Sequence, residues 1–382
     1  MLFKDRPSLM AATIAMVVTM LVLAAKPTLS FDFDRHSTYL RTDIVSDNSD
    51  SVPAAIQDPR LINAWGLAFA PTSPFWINDN GSGLSTLYAF DSTTGLVDVL
   101  PEPSVVIPPP SNEPKATAAP TGIVFNPANI LAPGTPSFGG DVFIFDTEDG
   151  TVSGWQPSFG DNAMLRADNL QAPSAGPVYK GLALGMAGGN AELFAANFRA
   201  GTVDVFDVNY HQVPLSPKAF VDPRLPAGYA PFGIANINNL LYVTYALQDG
   251  DKHDDVKGPG HGFVDEFTTG GLMVRRFASR GTLDSPWGIA AAPSRGFGSA
   301  SGHILVGNFG DGGINVFDHS GDWDGFLKNA NGDSLGPDRL WSLSFGNGSL
   351  AGPTTTLFFT AGPHDEANGL FGKIEVVNES MH

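Results

Sequence analysis

A chain of 382 residues that is 42% hydrophobic can bury a large core, and its 44 glycines and 30 prolines imply many turns and few long helices. A formal net charge of -18 opposes binding to polyanions, because a phosphate backbone needs a basic surface to release its counterions, so nucleic acid is excluded as an expected partner. With no cysteine there can be no disulfide, and the fold must be held by packing and by closure of its sheets.

The first thirty residues read as a secretory signal peptide: Lys4 and Arg6 precede the apolar run from Leu9 to Ala25, and "KPTLS" follows with small residues. That places the mature chain outside the cytoplasm, secreted or periplasmic, with no membrane span after cleavage. The run is 17 residues long, the low edge of a span, so an uncleaved anchor is the alternative. Sequons at Asn80, Asn347 and Asn378 matter only in a eukaryotic secretory route.

From residue 64 a pattern recurs: "AWGLAFAP" at 64, "PTGIVFNP" at 120, "YKGLALGM" at 179, "PFGIANIN" at 231, "PWGIAAAP" at 286 and "LWSLSFGN" at 340. Its central residues are Gly66, Gly122, Gly181, Gly233, Gly288 and Ser342, spaced by 56, 59, 52, 55 and 54 residues. Each copy continues with two more apolar bursts around a Gly, Asn or Asp corner, and alternations such as Val203-Asp204-Val205 have the period of a strand. Candidates for outer fourth strands are "PSVVIP", "KAFVDP" and "VRRFASR".

Six such units predict an all-β fold, a six-bladed β-propeller of four-stranded antiparallel blades. The blades are expected at about 61–108, 119–174, 178–224, 229–279, 284–330 and 339–378. Residues 37–48 have the length of one strand and are assigned to blade six, closing the ring. The inner glycines are expected where six strands crowd the axis, with Ser342 as an irregularity in the last blade. The Pro-rich stretch 101–120 is read as a surface excursion between blades one and two, with an interdomain linker as the alternative.

In a meander the corner between strands two and three opens on the same face as the entry to strand one. Polar residues of all blades should therefore gather at one mouth of the channel. At the end of strand two the alignment gives Asn78, Asp146, Asn197, Thr244, Asn308 and Thr360, a ring of oxygens suited to Ca²⁺ or another divalent cation. The plain alternative is that they form Asx-turns and serve the fold. Two long corners flank them: one holds Asp249, Asp251, His253, Asp254, Asp255 and His261, the other His364, Asp365 and Glu366. A histidine among carboxylates can bind a metal or act as a general base, or the blade-four corner is a solvated acidic loop braced by Lys252 and Lys257. Aromatics precede the axial residue at Trp65, Phe232, Trp287 and Trp341, and are read as packing between blades. Lys180 stands in that column as a lone cation that must pair with a carboxylate or meet an anionic ligand.

The segments "DPRLINAWGLAFAPTSPFWINDNGSGLSTLY", "QDGDKHDDVKGPGHGFVDEF" and "FTAGPHDEANGLFGKIE" resemble a family of secreted, largely bacterial propeller proteins of unknown function. That family is related in layout to NHL-type and SMP-30-like propellers. The resemblance runs from about Tyr39 to Val377 and implies the fold and export. Two functions stay open: a monomeric binding or scaffold protein that holds a protein, glycan or small ligand at the loop face without an organic cofactor, or a metal-dependent hydrolase or lyase of the lactonase kind. The scarcity of axial carboxylates, with Asp146 alone in the column, favours the first.

Overall fold

The structure is a computed structural model that describes residues 37–127, 137–169 and 176–377. The signal segment at 1–30 and the sequon at Asn378 lie outside the described residues. None of the helices among the described residues is long and apolar enough to cross a membrane.

The described chain forms six sheets, antiparallel except that the short strand Ile56–Gln57 pairs parallel with the N-terminal strand at the edge of blade six. Blade one contains Ala64–Ala68, Phe75–Asp79, Leu84–Asp91 and Leu96–Val106, and blade two contains Pro120–Phe125, Phe143–Thr147, Thr151–Trp155 and Met164–Asp168. Blade three has Tyr179–Ala187, Asn190–Asn197 and Thr202–Phe206. Blade four has Tyr229–Ile237, Leu240–Leu247, Phe263–Thr268 and Met273–Ser279, and blade five has Pro286–Ala291, Ile304–Asn308, Ile314–Phe317 and Trp323–Phe326. Blade six combines Leu340–Phe345, Leu357–Ala361 and Leu370–Val376 with the N-terminal strand Tyr39–Ser46. The inner strand of each blade touches that of the next, and blade six meets blade one. Six blades, an antiparallel meander in each and ring closure by the N-terminal strand agree with the sequence reading.

The alternation along each strand feeds two cores at once. In the second strand of blade three, Leu193 and Ala195 pack toward blade two, while Phe194 and Ala196 pack toward blade four. Each pair of neighbouring blades thus encloses its own apolar cluster, and blades six and one share theirs with Ile44 and Val45 of the closing strand. That strand runs antiparallel to the third strand of blade six from Tyr39 opposite Val376 to Ser46 opposite Leu370. Its Tyr39 also packs against Phe297 of blade five at 5.1 Å.

Crowding at the axis is as expected at most positions. A side chain at Gly66, Gly122, Gly233 or Gly288 would overlap the backbone of the next blade, at Thr121, Leu182, Trp287 and Trp341 respectively. At Gly181 the nearest atom to an added Cβ is the Gly233 Cα at 3.4 Å, an ordinary contact.

Two expectations change. "KAFVDP" is a turn rather than the outer strand of blade three. Pro214 and Pro217 lack the amide a strand needs, so pairing stops after the Phe206–Gln212 bridge and the bond from Val213 N to the Val205 carbonyl at 2.7 Å. Ser342 does not disturb blade six, whose inner strand pairs with the same slip as the other five.

Candidate functional site at the mouth of the channel

The site begins with an irregularity that all six inner strands share. Their pairing with the second strand slips between Ala64 and Leu67, Pro120 and Ile123, Tyr179 and Leu182, Pro231 and Gly233, Pro286 and Ile289, and Leu340 and Leu343. A bulge leaves an amide unpaired and re-aims a side chain. In three blades the strand-two column supplies the missing acceptor. Asp146 Oδ1 accepts from Gly122 N at 2.7 Å, Thr244 Oγ1 from Gly233 N at 2.8 Å, and Thr360 Oγ1 from Ser342 N at 3.0 Å.

The same column ties neighbouring blades. Asn78 Nδ2 donates to the Thr121 and Gly122 carbonyls at 3.2 and 3.0 Å, and the Thr360 hydroxyl donates to the Trp65 carbonyl. Asn197 closes its own corner, accepting from Ala200 N at 3.1 Å and donating to Asp204 at 2.9 Å. Asn308 donates to the Thr282 carbonyl at 2.8 Å and to Asp311 at 2.9 Å. All six side chains are buried. These contacts are those of the plain alternative, in which the column braces backbone, while Asn78 Oδ1 and Asp146 Oδ2 are buried without a partner. Burial pushes the Asp146 carboxyl up to about 7, against the lowering effect of its bonds from Thr121 and Gly122.

The re-aimed residues before the glycines build a plug across the axis. Trp65 stacks on Trp341 at 3.5 Å, Phe309 stacks on Trp341 at 4.0 Å, and Trp287 meets both indoles edge-on. Phe198 and Phe232 complete the cluster. Beyond it, the other end of the channel is a separate cavity of about 390 Å³ whose walls include Leu67, Ile123, Leu182, Ile234, Ile289 and Leu343.

On the mouth side of the plug, corner residues form one connected network. Lys180, almost wholly buried, pairs with Glu148 and, at 3.2 Å, with Asp254. Its ammonium lies 5.3 Å from the Trp65 ring centroid, and its carbonyl accepts from Trp287 Nε1 at 2.7 Å. Glu148 Oε2 accepts from Asn80 Nδ2 at 2.8 Å, Asn80 Oδ1 from Asn63 Nδ2 at 3.2 Å, and Glu366 Oε2 from Asn63 Nδ2 at 2.7 Å. Trp341 Nε1 fastens the network to the plug through Asn63 Oδ1 at 2.9 Å. His253 Nδ1 joins Asp254 Oδ1 at 2.9 Å. Blades six, one, two, three and four thus each contribute to the mouth.

Electrostatics follow from this packing. Burial works against the Lys180 charge, but Glu148 and Asp254 outweigh it and its pKa is raised, so the ammonium is kept. The bond from His253 holds Asp254 well below the usual carboxylate range, and that same bond raises His253. Burial, reinforced by the nearby Glu148 charge, pushes Glu366 up to about 7.

Of the residues expected at the mouth, the network joins His253, Asp254 and Glu366. Asp255 lies just beneath, raised by desolvation. His261 turns back to the Val256 carbonyl at 2.7 Å, His364 to Asn368 at 2.9 Å, and Asp365 pairs with Arg339 and, at 3.6 Å, with Lys257. Glu148 and Asn63 were not singled out by the sequence reading, and Asn80 was noted only as a sequon, although all flank the repeated corners. Glu148, His253 and Asp254 each offer a ligand atom within 4.8 Å of the others, a spacing that fits a metal ion. Asn80, in a sequon, is committed to this network, and Asn347 is committed to four backbone contacts.

A closed ring of six sheets with a plugged axis and one polar mouth defines a six-bladed β-propeller. The chain belongs to the family of uncharacterized protein R648 of Acanthamoeba polyphaga mimivirus, with which it is 33% identical over 334 residues, 84% of this chain and 76% of that one. Uncharacterized protein L690 of the same virus is 31% identical over 336 residues, 85% and 83% of the two chains. These relatives are viral, whereas the resemblance read from the motifs implied a largely bacterial family. No family model matches the chain. Among solved structures it is similar to the aldose sugar dehydrogenase of Escherichia coli (TM-score 0.51, 14% identity, 89% of this chain and 100% of that one). It is also similar to virginiamycin B lyase of Staphylococcus aureus (TM-score 0.50, 13% identity, 89% and 99%). At such identities the likeness is one of fold.

Proposed function

We propose that this propeller is a binding protein whose mouth receives a small polar ligand, a sugar or another molecule rich in hydroxyl or amino groups. One observation carries the reading: Glu366, Asn63, Asn80, Glu148, Lys180, Asp254 and His253 converge from five blades into one network resting on a rigid aromatic floor. Fixed amides and carboxylates with partly exposed edges suit a ligand that exchanges water for several directed hydrogen bonds. Because the fold hosts lyases and dehydrogenases alike, it does not choose among ligands, and the site must.

A thermal-shift screen of sugars, polyols and amines should find a ligand that raises the midpoint, with the rise reduced in Asn80→Ala and Glu148→Gln. A ligand whose effect survives both substitutions binds elsewhere, and the reading fails.

A second reading, a lyase or hydrolase, draws on one feature. Glu366, pushed up to about 7, exchanges its proton near neutrality and is suited to general acid or base work. Turnover that is lost in Glu366→Gln while ligand binding persists would favour it.

A further inference from the structure

We infer that the mouth carries its own cation: the Lys180 ammonium stands where a divalent ion would otherwise be held by Glu148, His253 and Asp254. The inference concerns the same site as the proposed function but needs no ligand, because it rests on the positions of four side chains. Two carboxylates and an imidazole within 4.8 Å of one another are the three protein ligands of an open transition-metal site, where Zn²⁺ bonds lie near 2.0–2.2 Å. An ion at such distances from Glu148 and Asp254 would overlap the ammonium, which contacts Glu148 Oε1 and lies 3.2 Å from Asp254 Oδ1. Metal and ammonium are therefore mutually exclusive.

The lysine is fixed at both ends. The inner-strand bulge between Tyr179 and Leu182 aims it, and the Trp287 indole holds its carbonyl at 2.7 Å. The Trp65 and Phe198 rings flank its ammonium with centroids at 5.3 and 5.9 Å. Glu148, little exposed, needs a positive charge beside it, and a tethered one has lost most of its freedom on folding, unlike a free ion. At the equivalent position the other blades carry Trp65, Thr121, Phe232, Trp287 and Trp341, so the charge is supplied once, beside the carboxylates.

The test compares wild type with Lys180→Met, by elemental analysis of the purified proteins and thermal scans with chelator, Zn²⁺ or Ca²⁺. Wild type should contain no stoichiometric metal at this site and show no shift, whereas Lys180→Met should gain a Zn²⁺-dependent rise that Glu148→Gln or His253→Ala in the same background removes. If Lys180→Met folds only with Zn²⁺, that dependence is the same result. Stoichiometric metal in wild type that Glu148→Gln abolishes overturns the inference, as does a folded Lys180→Met with no metal response. Should Lys180→Met fold under neither condition, the wild-type arm decides alone. Failure here leaves the ligand screen standing, and failure of the screen leaves the metal readout unchanged.

Discussion

Asp146 and Glu148 lie two residues apart in blade two, and their side chains go to different places. Asp146, next to last in its strand, points into its sheet and accepts the Gly122 amide freed by the bulge. Glu148 sits in the corner beyond, crosses to blade three and pairs with Lys180. The contrast holds elsewhere: Thr244 serves the backbone of its own inner strand and Thr360 the backbone of its own inner strand and the next, whereas the Asn80 and Asp254 side chains meet charged side chains across blade boundaries. A polar residue near the end of a buried strand must satisfy backbone, because an unpaired amide there is costly. One turn later the amides are met by other carbonyls, Asn80 N by Asn63 at 3.1 Å and Glu148 N by Ala119 at 3.0 Å, and the side chain is left to make contacts across blades.

If that division is right, changes to ring-holding parts should cost stability in proportion to the contacts removed, while changes at the mouth should cost little. The largest loss is expected from deleting residues 37–48, which unpairs the third strand of blade six and removes Ile44 and Val45 from the core shared with blade one. Thermal unfolding should show a lower midpoint than any point variant gives. An unchanged midpoint would mean that the ring closes without this strand.

Next comes Gly288→Val, which forces a branched side chain against the Trp341 carbonyl and should cost roughly 1–3 kcal/mol. Gly181→Ala is the paired control, since its Cβ finds an ordinary contact at 3.4 Å. Equal losses for the two in denaturant titrations would show that crowding is not what keeps these positions small.

A loss at the low end of that range, about 1 kcal/mol, is expected for Thr244→Val, a change of similar shape that orphans the Gly233 amide. Ligand and metal responses at the mouth should be untouched by it. A Thr244→Val protein that melts with the parent but binds differently would reverse the division between column and corner.

The ring was legible because it is repeated: a glycine every fifty-odd residues fixes blade number, inner strands and the closing role of 37–48. The column was legible as a pattern but its bracing of backbone was not, because alignment shows where oxygens recur and not which amides a bulge has freed. Glu148 escaped for the converse reason. Two residues past the column the blades carry Asn80, Glu148, Arg199, Ala246, Gly310 and Gly362, with no shared residue type to draw attention, and its partner Lys180 is 32 residues away in the next blade. Lys180 itself was visible as the odd member of an aromatic column, and its need for a carboxylate is met. The outer edge of blade three was misread because hydrophobicity suggested a strand where Pro214 and Pro217 forbid continued pairing.

The smallest effect sharpens the comparison at the mouth. Glu366 is buried beside Glu148 and held by Asn63, and its carboxyl rises from 4.5 to about 7 on folding. The folded state therefore keeps a proton that the unfolded chain has lost, and the resulting stability is full below about pH 4.5 and declines as pH rises through about 7. Asp146, also near 7, contributes the same slope from within the column. Glu366→Gln mimics the protonated form, so the variant should match the parent at acid pH and be more stable above about pH 7, with the slope left over belonging to the other carboxyls that burial raises, among them Asp79, Asp146 and Asp255. Asp146→Asn should flatten the profile in the same direction but lower stability throughout, because Oδ1 keeps both bonds from Thr121 and Gly122 while Oδ2, buried without a partner, becomes an amide nitrogen whose donors stay unsatisfied. Melting curves of both variants between about pH 4 and 8 check this. A parent-like slope in Glu366→Gln would mean that Glu366 is ionised in the folded protein, stabilised by Lys180 more strongly than burial opposes it.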